Sequence, residues 1–131
     1  MHVVQSIETI LVVDDDFWVR QIAIRSLRTN GYSVLEACDG QTALAVSEEF
    51  GGTIDLVLSD AIMPGMTGAA VVEALRRARP GIKAVFMSGY GWNEVMSRGI
   101  DAAEVVFIQK PFTAVNLLRC IREQLDTASA T

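Results

Sequence analysis

Short apolar runs alternate along the chain with longer stretches in which apolar residues recur every three or four positions. The runs Thr9–Val13, Ser33–Ala37, Ile54–Leu58, Ala84–Met87 and Val105–Ile108 have strand length, and most are rich in Val, Ile and Leu. Near-continuous apolar runs of this kind suit strands buried on both faces of a parallel sheet. Between the first two, Val19, Ile22, Ala23, Ser26 and Leu27 mark the inward stripe of a helix. Arg20, Gln21, Arg25 and Arg28 turn outward, and Gly31 closes the helix. A second helix is predicted over Gln41–Phe50, ending at Gly51-Gly52. A third carries Gly68, Val71, Val72, Leu75 and Ala78 inward and stops at Pro80-Gly81. The fourth pattern, Asn93–Arg98, is short and flanked by glycines. The last has Thr113 as N-cap and Ala114, Leu117, Leu118, Ile121 and Leu125 inward.

Five strand-and-helix repeats imply an α/β fold: a (βα)5 doubly wound, parallel, five-stranded sheet, because right-handed crossovers place helices on both faces. No linker rich in Pro, Gly or Ser interrupts the pattern. The length, 131 residues, is that of one ordinary domain. That domain is expected over residues 9–126, with an N-terminal extension at 1–8. The small polar tail at 127–131 is either disordered or the stub of a linker.

Half of the residues are hydrophobic and 21% are charged, a balance that supports a buried core. Sixteen acidic against eleven basic residues leave a net charge of −5, which offers no positive field to nucleic acid or anionic lipid. The longest uncharged stretch, Ala61 to Val72, contains Pro64, Gly65 and Gly68, so no membrane insertion is expected. The first residues lack the basic start and apolar core of a signal peptide, and Cys38 and Cys120 match neither a disulfide framework nor a zinc spacing. A cytoplasmic protein with two reduced thiols is expected. The single histidine, His2, excludes a Ser-His-Asp triad, a His-rich metal site and an internal phosphohistidine. Polar chemistry is left to carboxylates, hydroxyls, Lys and Arg.

Side chains at the carboxyl ends of an open parallel sheet converge on a crevice at the topological switch point. Here the first strand leads into Asp14, Asp15 and Asp16, and the third into Ser59 and Asp60. The fourth leads into Ser88 and Gly89, and the fifth into Gln109, Lys110 and Pro111. Two carboxylates about 4 Å apart repel by roughly 4 kcal/mol at an effective dielectric of 20, so such a cluster needs a cation or a shared proton. Lys110 supplies one charge; an all-oxygen crevice open to water favours a hard divalent ion, Mg²⁺ or Mn²⁺. A divalent ion and a lysine beside an aspartate are also what phosphoryl transfer to that aspartate requires. Singly, each piece has an ordinary reading, since acidic runs start helices and an aspartate caps turns. Four strand ends together carry the inference.

These residues resemble the receiver domain of two-component response regulators over about Thr9 to Leu125. The resemblance rests on four pieces in order: Ile10-Leu11-Val12-Val13-Asp14-Asp15-Asp16; Asp55 to Gly68, with Ser59-Asp60-Ala61-Ile62-Met63-Pro64 at its centre; Val85-Phe86-Met87-Ser88-Gly89-Tyr90; and Phe107-Ile108-Gln109-Lys110-Pro111-Phe112. The third and fourth are most similar in wording to receivers of hybrid histidine kinases. The resemblance implies a flavodoxin-like strand order 2-1-3-4-5 and a phosphoacceptor at Asp60. It makes Asp15 a direct Mg²⁺ ligand together with Asp60 and the backbone carbonyl of Ile62, with Asp14 holding a metal-bound water. Asp16 falls outside the usual pair and is expected to be solvated. Lys110, ahead of a cis Pro111, would pair with phosphoryl oxygens, while Ser88 would swing to hydrogen-bond one and Gly89 would leave room for the group.

Phe107 occupies the family's switch aromatic position; plain strand packing is an equal reading. The implied donor is a histidine kinase or histidine phosphotransfer protein, or a small acyl phosphate. A downstream protein would meet the face made by the fourth helix, the fifth strand and the last helix. The domain would be a signalling switch and not a turnover enzyme. Ile62 stands where other receivers often carry a polar residue that acts on the attacking water, which implies slow autodephosphorylation. Trp18 and Trp92 flank the crevice. Trp92 reports phosphorylation, marks a partner surface, or folds down over the short fourth helix.

Two other readings compete. A phosphotransferase or phosphatase of the haloacid dehalogenase type also uses an Asp nucleophile, but Trp18 replaces its Thr or Val and no acidic metal-binding pair follows Lys110. A flavodoxin-like binding module would need an anion-binding loop after the first strand, where this chain has three aspartates.

Overall fold

The computed structural model describes residues 7–89 and 106–127. Strands β1 (Thr9–Val13), β2 (Ser33–Ala37), β3 (Leu56–Asp60), β4 (Lys83–Ser88) and β5 (Phe107–Gln109) form one parallel sheet in the order β2-β1-β3-β4-β5. Helices α1 (Phe17–Thr29), α2 (Gly40–Glu49), α3 (Gly68–Ala78) and α4 (Ala114–Asp126) are described around it. The expected fourth helix at 93–98, and Trp92 with it, lie outside the described residues.

Alternate residues of β1 feed two separate cores. Leu11 and Val13 pack with Ala43 of α2 and Val71, Val72 and Leu75 of α3. Ile10 and Val12 pack with Ala23, Ile24 and Leu27 of α1 and Leu117 and Ile121 of α4. Both faces of the central strands are therefore apolar, which is why they read as continuous runs.

The starts of the helices are built from their own sequence. Asp16, Asp39, Thr67 and Thr113 are the N-caps of α1, α2, α3 and α4, each accepting from backbone N–H groups of the first turn. Gly31 follows the C-cap of α1 at φ +91°, a left-handed conformation suited to glycine.

Several boundaries and faces differ from the pattern. Strand β3 begins at Leu56 and not at Ile54. Ile54 is buried, but the ladder to β1 starts with Ile10 opposite Leu56, and hydrophobicity does not distinguish the two. Helix α2 stops at Glu49, with Phe50 as its C-cap. On α1, Ile24 is buried and Ile22 is exposed, so the apolar stripe is rotated from the one expected; Ala78 and Ala114 are exposed as well.

At the amino-terminal edge of the sheet, the Ser33 N–H donates to the Glu8 carbonyl, and Arg122 of α4 pairs with Glu8 at 2.7 Å and Asp126 at 2.8 Å. The Lys83 ammonium donates to the carbonyls of Leu125 and Thr127. Both ends of the described fold are thereby tied to the edge away from Asp14 and Asp60.

Candidate functional site

The crevice at the carboxyl edge brings together residues from β1, β3, β4 and β5. Asp14 follows β1 and is completely buried; Asp60 closes β3 and is nearly so. Lys110 follows β5, and its ammonium lies 2.8 Å from Asp14 Oδ2 and 3.4 Å from Asp60 Oδ2. Its N–H donates to the Ser88 carbonyl, which ties the ends of β4 and β5 together, and the Lys110–Pro111 peptide is cis. Ser88 is buried on the neighbouring strand. Phe107 is partly buried against the α2–α3 core.

The loops around these residues are fixed by main-chain contacts. Asp14 Oδ1 accepts from the Asp16 N–H at 2.8 Å, and the Asp14 N–H donates to the Ala37 carbonyl. The Ile62 N–H points at Asp60 Oδ1, 3.4 Å away, and the Ala61 N–H donates to the Met87 carbonyl at 2.7 Å. Asp16, expected to be solvated, is exposed but also engaged: its Oδ1 accepts from the N–H groups of Trp18 and Val19 and starts α1.

Arg20 was expected on the outer face of α1, yet its side chain is only 12% exposed. Its Nη1 donates to the Asp14 carbonyl at 2.7 Å and its Nε to Glu36 Oε2 at 3.1 Å. The available signal is Glu36, the one charged residue inside the β2 run.

Electrostatics couple the group. Burial pushes the Asp60 carboxyl up from an ordinary 3.8 to about 6; the Lys110 charge opposes this rise and the Asp14 charge adds to it. Burial pulls the Lys110 ammonium down, but hydrogen bonding and charge from Asp14 and Asp60 outweigh it, leaving the ammonium above its ordinary value.

Asp14, Asp15 and Asp60 each offer a carboxylate oxygen within 4.8 Å of the others. Asp14 Oδ2 is buried, and the Lys110 ammonium 2.8 Å away is the one cation beside it among the described residues. Asp15 is exposed at the mouth of the crevice. Three converging carboxylates that share a single ammonium fit a hard divalent cation. The sequence profile of the response regulator receiver domain matches residues 10–122. The chain belongs to the response regulator receiver domain family.

This receiver is 40% identical over 119 residues to the sensor kinase CckA of Brucella abortus (strain 2308), covering 90% of this chain and 12% of that protein. It is 27% identical over 123 residues to sporulation initiation phosphotransferase F of Bacillus subtilis (strain 168), covering 93% of this chain and 97% of that one. Among solved structures, the receiver domain of the hybrid histidine kinase CckA superposes with a TM-score of 0.76 at 39% identity, covering 90% of this chain and 99% of that chain. A CheY-like receiver from Methanospirillum hungatei JF-1 gives 0.79 at 32% identity, covering 92% and 95%.

The chain thus spans only a small part of the sensor kinase it matches, and nearly all of the phosphotransferase. The expected likeness to hybrid-kinase receivers is met by CckA. This is a receiver domain of two-component signalling, and Asp14, Asp15 and Asp60 form an acidic cluster at its crevice. Family membership sets aside the dehalogenase-like and flavodoxin-like readings. Among the described residues no helix is long and apolar enough to cross a membrane.

Proposed function

We propose that Asp60 accepts a phosphoryl group from a phosphohistidine of a histidine kinase or histidine phosphotransfer protein, and that the domain acts as a switch. An Asp60 carboxylate oxygen attacks phosphorus in line; the O–P bond forms, the N–P bond breaks, and the imidazole leaves with the electron pair. Lys110 moves its charge from the Asp14 and Asp60 carboxylates to the transferred oxygens. Ser88 supplies a hydroxyl donor to one of them, and Gly89 leaves the space beside it clear. Asp15, Asp60 and the Ile62 carbonyl would hold Mg²⁺ directly, with Mn²⁺ a chemical substitute, and Asp14 would hold it through a water. When bound, the ion neutralises charge on the equatorial oxygens.

The added charge, about −1.5 to −2, biases Ser88 and Phe107 and through them a face that includes β5 and α4, where a downstream protein docks. Direct binding of nucleic acid is not part of this role. The reading takes residues 9–126 as the domain, flanked by an extension at 1–8 and a tail at 127–131. Two free cysteines support a cytoplasmic setting.

The observation that carries the proposal is the Lys110 ammonium set between Asp14 and Asp60, 2.8 and 3.4 Å from their oxygens. Incubation with Mg²⁺ and acetyl phosphate, followed by intact mass, is expected to add one phosphoryl group to the native chain and none to Asp60→Ala. An unlabelled native chain, or a labelled Asp60→Ala, overturns it.

A further inference from the structure

We propose that Arg20 is a positioning residue for the cation site, holding the turn that carries Asp14 and Asp15 against β2 by bridging the Asp14 carbonyl and Glu36. The proposal rests on the reading of the acidic cluster as a Mg²⁺ site.

The carbonyl of Asp14 belongs to the peptide that leads into Asp15, so a group holding that oxygen sets where Asp15 leaves the strand. Arg20 Nη1 donates to it at 2.7 Å. A guanidinium reaching from a helix would wander unless it were itself anchored, and two contacts anchor it while a third holds its carboxylate partner. Its Nε meets Glu36 Oε2 at 3.1 Å, Gln21 Nε2 donates to the same oxygen at 3.0 Å, and the Phe17 ring lies with its centroid 5.6 Å from the guanidinium carbon. Glu36 lies on β2 opposite Val12, two residues before Asp14. A rigid strand thus supports the turn from outside the crevice, beside the Asp14 N–H bond to the Ala37 carbonyl, the Asp14 to Asp16 bond and the Asp16 cap. Asp15 gains most from this, because its exposed carboxylate makes no hydrogen bond to another described residue.

The charge of Arg20 works against its proposed role, and that makes the idea decidable. A cation beside the cluster repels a second cation, so if Arg20 acted only through its charge, removing it would tighten Mg²⁺ binding. If it acts by holding the turn, removing it loosens binding, and outer contacts of metal ligands are typically worth 10- to 100-fold in affinity. A lysine at this position keeps the charge but lacks the planar fork that serves the carbonyl and the carboxylate together.

The test is a Mg²⁺ titration of the whole chain followed by amide chemical shifts of Asp15 and Asp16 in ¹H–¹⁵N spectra, which also report whether each variant is folded. Arg20→Ala is expected to weaken binding about tenfold, and Arg20→Lys about threefold or more. A Kd for Arg20→Ala equal to or tighter than native overturns the proposal. If Arg20→Ala does not fold, Arg20→Lys decides it, and an unchanged Kd there overturns it. If the native chain itself shows no saturable shift at Asp15, the Mg²⁺ reading fails and this proposal falls with it. Native binding with unaltered variants removes the role of Arg20 alone.

Discussion

A β-carbon on Gly68 would stand 2.4 Å from the main-chain oxygen of Asp60. The first turn of α3 is pressed against the end of β3, and the Gly68 N–H donates to the neighbouring Ala61 carbonyl at 2.9 Å. The proposed acceptor and the helix behind it therefore share one close contact. Gly68→Ala must separate them, at a cost of about 1–3 kcal/mol. Urea unfolding should show that loss, and acetyl phosphate labelling of the folded fraction should be slower than native. Native stability in Gly68→Ala would contradict the packing argument.

Asp60 makes stability depend on pH in a direction opposite to that of a salt-bridged carboxylate. Its folded-state value of about 6 lies above the ordinary 3.8. As pH rises from about 4 to 6, the unfolded chain releases this proton before the folded one does, so the folded state loses ground across that window and stays lower above it. Asp60→Asn removes the effect. In buffer without divalent ions, it should raise stability at neutral pH by on the order of 2 kcal/mol more than it does near pH 4. Equal effects at both pH values, read from urea midpoints, would show that Asp60 titrates normally.

Lys110 is the compensating charge for a completely buried Asp14, and its own side chain is 16% exposed. Lys110→Met leaves that carboxylate unpaired and should cost on the order of 3 kcal/mol, by the general penalty for breaking a buried pair. Adding Asp14→Asn to the same chain should recover part of the loss, and the double-mutant cycle should be strongly non-additive. Additive losses would mean that the contact carries little coupling.

Ile62 bears on the lifetime of the phosphorylated state. Its side chain is partly buried against the α2–α3 core and offers no polar group to orient water at Asp60. The aspartyl phosphate is expected to persist for minutes or longer, and Ile62→Asn to shorten it. A native half-life of seconds in a pulse-chase by intact mass would be the contrary result.

Much of this arrangement is legible in the sequence, for physical reasons that differ by residue. Strands β1 and β2 fall where the apolar runs do, and Asp14, Asp60, Ser88 and Lys110 meet because strand ends in a parallel sheet share an edge. The start of β3 is not legible, because Ile54 is about as buried as Leu56 and only the pairing of Leu56 with Ile10 marks the boundary. The inward reach of Arg20 is not legible either, because helical periodicity assigns a face but not a hydrogen-bond partner on another strand. Asp16 is exposed, as its sequence position implies, but its capping role is not legible there: the capping bonds depend on the backbone entering α1 at φ −84° and ψ 113°. Composition sees charge, whereas these roles depend on where a main chain turns.

The ties of Glu8 to Arg122 and of Lys83 to Leu125 and Thr127 have a consequence for how the fold is handled. Both attachment points lie a strand's length from the chemistry, at the opposite ends of the strands. A reporter or carrier coupled at Glu8 or Thr127 would hang from the floor of the molecule, leaving the doorway to Asp60 clear for a protein as large as a kinase.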